Sequence, residues 1–319
     1  MSVNIVVTCT SRKKHAPPTR LQMRTVRERN IEARAYEWIE RLSANSTNQT
    51  AAAELYCGEY WSVARALPLL ARQSGIAARI WICSAGYGLI SFQSHICSYS
   101  ATFSPFEPDC VTRGFDSNVR AEAAQRWWQL IARWRGPKGS ELRSLNSVAQ
   151  EYPKVPLLVV GSPDYLQSLE QDLTGTVATL ASSDLLLIAS AGMKAFGMLT
   201  NNLLPCDARL QASLGGTRGS LNIRVAKRVV EFMGRGEIGL TRQKGQLQRL
   251  LDKQPAIEQY QRRVLTDEEI RNFIRMELDR HGHASKSVLL RKLRDSGRAC
   301  EQSRFGGLYQ QMVTDEKIA

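Results

Sequence analysis

Ile80-Trp81-Ile82-Cys83-Ser84-Ala85-Gly86-Tyr87-Gly88-Leu89 is an apolar run that breaks straight into a small, glycine-bearing polar turn. Apolar residues bounded by turn formers predict a buried central strand over 80–83. Ser84, Ala85, Gly86 and Gly88 then let the backbone approach a ligand closely, with Tyr87 lying over it. The start of the chain repeats the pattern, since Val3 to Thr8 reads as a strand ending in Cys9-Thr10-Ser11-Arg12-Lys13-Lys14. Two strand ends that carry small polar residues predict one shared crevice.

Further along, Val155 to Val160 reads as a strand ending in Gly161-Ser162-Pro163-Asp164-Tyr165, and Leu185 to Ala189 as another ending in Ser190-Ala191-Gly192. Helical stretches separate these strands: Met23 to Leu42, a short one at 51–56, one running to about Gln73, and 118–135 with Trp127, Trp128, Ile131 and Trp134 as core mass. The expected fold class is therefore α/β, a mainly parallel sheet covered by helices over residues 1–235. A glutamine-rich stretch, 236–264, reads as a polar helical linker, with Gln243, Gln246, Gln248, Gln254, Gln259 and Gln261 solvated. After it, Thr266 and Glu269 form a capping box. Three short helices then fill 265–319, with a second start at Ser285 or Ser287 and a third from Glu301 to Met312. That order suits a helix-turn-helix or winged-helix-like module, with Arg298, Gln302, Ser303, Arg304, Gln310 and Gln311 turned to DNA. A small bundle for protein contacts is the other reading.

The chain of 319 residues carries a formal charge of +13. Such an excess points to a polyanionic partner, nucleic acid first, because neutralising phosphates releases counterions. A merely soluble basic surface is the alternative. The excess is local: residues 1–50 hold nine Lys or Arg against four Glu, and 201–250 hold nine against three acids. Seven scattered cysteines lack the Cys-x-x-Cys spacing of a zinc site or the pattern of a disulfide framework. No long apolar run or leader pattern occurs, so a cytoplasmic protein without a membrane span is expected. His15, His95, His281 and His283 form no metal constellation, and neither a metal nor a cofactor is expected.

Leu214-Gly215-Gly216-Thr217-Arg218-Gly219-Ser220-Leu221-Asn222 precedes an amphipathic helix. Free backbone N–H groups at such a turn suit a phosphate, helped by Arg218 and Arg224, although the stretch matches neither a Walker loop nor a Rossmann fingerprint. An ordinary loop and cap would look the same. Cys9 is the first candidate nucleophile, at a strand end with Arg12, Lys13 and Lys14 close by to favour a thiolate; the bland reading is an apolar filler. Cys57 comes second. Among the loop acids Glu59, Glu107, Asp109, Asp164 and Asp207, those at 164 and 207 are preferred for acid–base work because each adjoins a strand end or the glycine-rich turn.

Taken in order, Cys9–Lys14, Leu55–Trp61, Ser84–Ile90 and Tyr99–Phe103 resemble a bacterial family whose distant cousins are the YaaA peroxide-stress DNA-binding proteins and domains allied to archaeosine-forming transglycosylases. Within that neighbourhood the chain is most similar to the DpdC family of deazapurine DNA-modification islands, which converts 7-cyano-7-deazaguanine in DNA to the amide. The likeness covers about the first hundred residues well, 204–224 less so, and the C-terminal module hardly at all. It implies DNA carrying a 7-deazaguanine as substrate and other proteins of the same modification system as partners. Cys9 would attack the nitrile carbon, Lys13 or Lys14 would supply a proton, and Asp164 or Asp207 would position water. An extruded base would stack on Tyr87, Tyr99 or Trp61, with Thr10, Ser11, Tyr56, Gly58, Ser84, Ala85, Gly86, Gly88 and Ser162 lining the crevice. Phosphates would meet Arg12, Arg209, Gly215, Gly216, Thr217, Arg218, Asn222, Arg224, Arg298 and Arg304. Two competitors stand beside this reading, a non-enzymatic DNA-binding protein and a base-excising or base-exchanging glycosylase.

Overall fold

Val3, Ile5, Val6 and Val7 are buried whichever way they point, so the first strand, β1 (Ser2–Thr8), has no solvent face and belongs in the middle of a covered sheet. The computed structural model describes residues 1–45, 48–137, 141–256, 263–281 and 284–315. On one side of β1 lies β2 (Ala77–Ser84), parallel from Ser2 opposite Ala77 to Thr8 opposite Cys83. A three-residue turn returns the chain as β3 (Gly88–Ser91), antiparallel to β2 at the sheet edge. On the other side, β4 (Leu157–Val160) pairs parallel with β1, and β5 (Leu186–Ala189) pairs parallel with β4. The order β3-β2-β1-β4-β5 makes the protein α/β with a mostly parallel five-stranded sheet.

Helices α1 (Ile31–Ser43), α2 (Glu59–Gln73), α3 (Arg120–Arg133), α4 (Pro163–Ser168) and α5 (Leu221–Gly234) surround the sheet, α1 packing on α3 and α2 on α5. The first of these starts later than its periodicity suggests. Asn30 caps it, its side chain accepting from the N–H groups of Glu32 and Ala33, and residues 19–25 form two tight 3₁₀ turns instead. β3 is an addition to the expected strands, because Gly88-Leu89-Ile90-Ser91 has the look of a ligand turn. Trp127, Trp128 and Ile131 are core, as their spacing indicates.

The linker expected over 236–264 needs correction in its first half. Leu240–Asp252 is a helix, α6, that buries Leu240, Leu247 and Leu251 in the main core. Even Gln243 is fully buried there, its amide donating to the Glu237 and Val229 carbonyls. Residues 257–262, with Gln259 and Gln261, lie outside the described residues. The chain divides into two units, 1–255 and 256–319, each with its own hydrophobic cluster. In the second unit α7 (Asp267–His281), α8 (Lys286–Asp295) and α9 (Gln302–Asp315) pack around Ile270, Ile274, Leu289, Leu293 and Phe305. The Thr266–Glu269 capping box is formed, and Ser285 caps α8. Arg263–Val264 pairs parallel with Arg298–Ala299.

Candidate active site

From β1 the chain moves to β2, and from β4 it moves the opposite way to β5, so the loops leaving the carboxyl ends of β1 and β4 diverge. Open α/β sheets bind ligands at such a switch point. Cys9 stands at the end of β1, its N–H donating to the Cys83 carbonyl at 3.0 Å. At the end of β4, Pro163 opens α4 and brings in Tyr165, whose hydroxyl lies 3.2 Å from Cys9 Sγ. Cys9 is 6 % exposed, nearly covered but not sealed off.

Around it stand buried phenols. Tyr99 Oη is 2.8 Å from Tyr56 Oη and 2.6 Å from Ser84 Oγ. Tyr60 Oη accepts from the Thr8 N–H at 3.2 Å, and burial pushes its pKa up to about 12. Burial likewise raises Tyr56, Tyr99 and Tyr165, with the neighbouring Cys9 adding to the rise. These phenols are proton holders at ordinary pH. Lys13 reaches over them, its Nζ 4.2 Å from the Tyr99 ring centre and 5.4 Å from that of Tyr56, while donating to the Thr10 carbonyl at 3.0 Å. Burial holds the Lys13 ammonium below the usual lysine range, against the opposing pull of Cys9 and Asp109. A sulfur and an amine whose pKa is lowered by burial thus stand within electrostatic reach of each other among phenols at the switch point.

The turn after β2 is a wall of this site, not its open mouth. Ser84, Ala85, Gly86, Tyr87 and Gly88 are all buried. Trp127 donates to the Ala85 carbonyl at 2.7 Å and Trp38 to that of Gly86 at 2.8 Å, while the Arg143 guanidinium covers the carbonyls of Tyr87 and Leu89. Ser84 Oγ accepts from the Tyr87 N–H at 2.9 Å, closing the turn on itself. A Cβ on Gly86 would stand 2.5 Å from the Tyr99 ring, so the glycine serves a side chain of the core rather than a ligand. The stacking roles expected of Tyr87, Tyr99 and Trp61 are corrected on the same ground. Tyr87 is 3 % exposed with its hydroxyl accepting from the Cys97 N–H, and Trp61 is fully buried, stacked on Tyr56 at 4.6 Å.

Other expected site residues divide. Thr10 is half-buried beside Lys13, Ser11 and Arg12 are exposed, and the Arg12 side chain lies over Gly58. Ser162 and Asp164 are half-buried at the head of α4, one to three residues from Tyr165, and burial raises the Asp164 carboxyl. Lys14 is turned away from Cys9 and pairs with Glu54 on the surface at 2.8 Å. Asp207 and Arg209 are paired with each other, Arg209 donating through Nε and Nη2.

The glycine-rich turn is also occupied, by a carboxylate of the same chain. Glu59, in the first turn of α2, accepts from the Thr217 N–H at 3.2 Å, Ser220 Oγ at 2.9 Å and Arg224 Nη2 at 2.6 Å. Those bonds hold its pKa down at about 2. A Cβ on Gly216 would collide with the same carboxylate, and φ there is +73°. Of the donors foreseen for phosphate, Thr217 and Arg224 therefore serve an internal latch, the Gly215 N–H donates instead to the Gln211 carbonyl, and of the two arginines at this turn only Arg218 is exposed. Asn222 stitches strand ends, its amide donating to the Gly161 carbonyl and its oxygen accepting from the Ala191 N–H. In the second unit, Arg304 is paired with Asp267 and Arg298 lies over the Phe273 ring at 5.3 Å, so both hold that unit together. The side chains of His281 and Ser303 and all of His283 lie outside the described residues.

Sequence reasoning misses Tyr165 and Tyr60 as neighbours of the Cys9 and Lys13 groups and passes over Asp109, one of its loop acids, in favour of Asp164 and Asp207. Tyr165 is visible as the end of Gly161-Ser162-Pro163-Asp164-Tyr165, but only the strand order brings that stretch beside β1. Among the described residues no set of three or more His, Cys, Asp or Glu is placed to hold a metal ion, and no helix is long and apolar enough to cross a membrane. Comparison of the chain with protein-family models, with curated proteins and with solved structures gives no match.

Proposed function

We propose that the chain is a cysteine-dependent hydratase that converts a nitrile on a DNA base to the amide, the substrate being the 7-cyano-7-deazaguanine that its likeness to the deazapurine-modification family implies. The observation that carries the reading is the Cys9 sulfur at the β1/β4 switch point, hydrogen-bonded to Tyr165, with the amine of half-buried Lys13 in electrostatic reach. Neutral Lys13 takes the thiol proton of Cys9, and the sulfur bonds to the nitrile carbon while one C–N π-bond opens onto nitrogen. The ammonium of Lys13 returns the proton to that nitrogen, giving a thioimidate. Water held by Asp164 at the head of α4 then adds to the carbon while one of its protons passes to the imine nitrogen; the C–S bond breaks with its electron pair leaving on sulfur, the remaining hydroxyl proton passes to that sulfur, and the amide is left. The base is taken out of the duplex, since its reacting atom is otherwise beyond reach. With the aromatic rings of the cluster packed against one another, recognition falls to polar groups at the mouth, Thr10, Ser11 and Ser162. DNA as substrate agrees with the net charge of +13, and we take the second unit as a helix-turn-helix-like reader and the cytoplasm as the compartment.

Mass spectrometry of nucleosides from DNA carrying the cyano base tests the reading. The wild type adds one water to the base, whereas Cys9→Ser loses turnover by at least about a thousandfold and keeps its DNA affinity. Release of the free base would instead mark a glycosylase, an unchanged base a binding protein, and an active Cys9→Ser variant would remove the sulfur from the mechanism.

A further inference from the structure

Between the 3₁₀ turns at 19–25 and the loop after Cys110 lies a pocket of about 570 Å³ whose lining includes five arginines, Arg24, Arg27, Arg29, Arg34 and Arg113, and, among the described residues, no acidic side chain. Two of the five build it. Arg34, 6 % exposed, donates from Nε to the Glu28 carbonyl and from Nη1 to the carbonyls of Val111 and Arg113, tying the two walls together. Arg24 donates to Asp109 through its backbone N–H at 2.8 Å and through its guanidinium. The remaining three, Arg27, Arg29 and Arg113, are exposed at the rim. Burial, and to a smaller degree the like charge of Arg113, holds Arg34 below the usual arginine range; with Asp109 balancing Arg24, the positive charge left in the pocket is that of Arg34 and the three rim arginines. Planar guanidinium forks at a concave, partly dry surface match the oxygens of a phosphate.

We infer that this arginine pocket is a phosphate-binding site, and that it seats a backbone phosphate next to the nucleotide presented to Cys9. Its position supports the pairing. Asp109 accepts from Arg24 and from Ser100 Oγ at 2.7 Å, adjoins Tyr99 through Ser100, and lies within electrostatic reach of Lys13. One carboxylate is thus bonded to Arg24 of the pocket and in electrostatic reach of the amine of the site. Nucleic acid as the source of the phosphate rests on the proposed function; the phosphate chemistry itself does not.

The test uses the full chain with Arg27→Ala and Arg113→Ala together, two exposed side chains whose removal leaves the Arg34 and Arg24 bonds in place. Arg242→Ala together with Arg249→Ala, both exposed on α6, removes the same net charge and is the control. Probes are a fluorescent single-stranded oligonucleotide across a salt series and a deoxynucleoside monophosphate read by thermal shift. The double variant binds the oligonucleotide about tenfold more weakly than the control variant, and its plot of log affinity against log salt is shallower by about 0.7 for each phosphate no longer neutralised. Loss of nucleotide protection with unchanged oligonucleotide affinity also assigns a phosphate site, but to a free phosphorylated ligand. If the Arg27→Ala, Arg113→Ala variant matches the Arg242→Ala, Arg249→Ala control with both probes, the pocket binds no phosphate and the inference falls. Because the readout is binding, an inactive nitrile assay with intact arginine effects would defeat the chemistry alone.

Discussion

At the scale of single residues, the stretch that decides the fold also misleads about the site. Ser84 to Gly88 has the composition of a ligand loop, yet its carbonyls are met by Trp38, Trp127 and Arg143, residues 40 to 60 positions away that only the tertiary fold delivers. Small residues at a strand end are demanded equally by a ligand and by a packed ring; composition does not distinguish them. Gly86→Ala separates the two cases. Its added methyl would overlap the fully buried Tyr99 ring, which is pinned by Tyr56 and Ser84 and cannot swing aside. The variant loses roughly 1–3 kcal/mol of stability in denaturant titration, the range of overpacked cores. A neutral result would mean that the turn has room for a ligand after all. Cys9 and Lys13, by contrast, are legible, because a thiol and an amine beside one strand end stay close whatever the rest of the chain does.

Among elements, strands announce themselves more plainly than the roles of the loops between them. β1, β2, β4 and β5 are short apolar runs with largely buried side chains, and such runs are read without knowing their neighbours. The edge strand β3 is harder to see because Gly88 at its start looks like part of a turn. The glycine-rich stretch before α5 shows the limit most clearly. Its donors face a carboxylate 158 residues earlier in the chain, so the sequence reveals a site for an anion while hiding that the anion is Glu59. Glu59→Gln tests this latch. The folded-state pKa of Glu59, about 2, lies below its ordinary value of 4.5, so the native form binds fewer protons than the unfolded form between those limits. Its contribution to stability is complete above pH 4.5 and disappears as pH falls through about 2. Thermal unfolding of Glu59→Gln therefore gives a lower Tm than the wild type at neutral pH, with the gap closing under acid. A gap that persists unchanged down to the bottom of that window would mean that the carboxylate's charge plays no part.

For the whole molecule, the division of charge decides what each unit does in binding. Residues 1–255 hold 31 Lys and Arg against 20 Asp and Glu, and residues 256–319 hold 12 against 10. Nearly all the positive excess thus belongs to the unit that carries the Cys9 site and the arginine pocket. The hydrophobic cluster of that unit ends at Leu251, and the cluster of the other begins at Leu265, so each buries its apolar side chains independently. A chain ending at residue 255 should then fold with a single cooperative transition and keep most of its salt-dependent affinity for DNA. On the proposed reading of the second unit as a DNA reader, its removal lowers affinity for preferred sites but leaves the slope of log affinity against log salt nearly unchanged. Fluorescence anisotropy of both chains over a salt series measures the two slopes directly. A collapse of the slope in the shortened chain would make the second unit the electrostatic anchor, and the charge count of the first would then describe a solvated surface that phosphates do not visit.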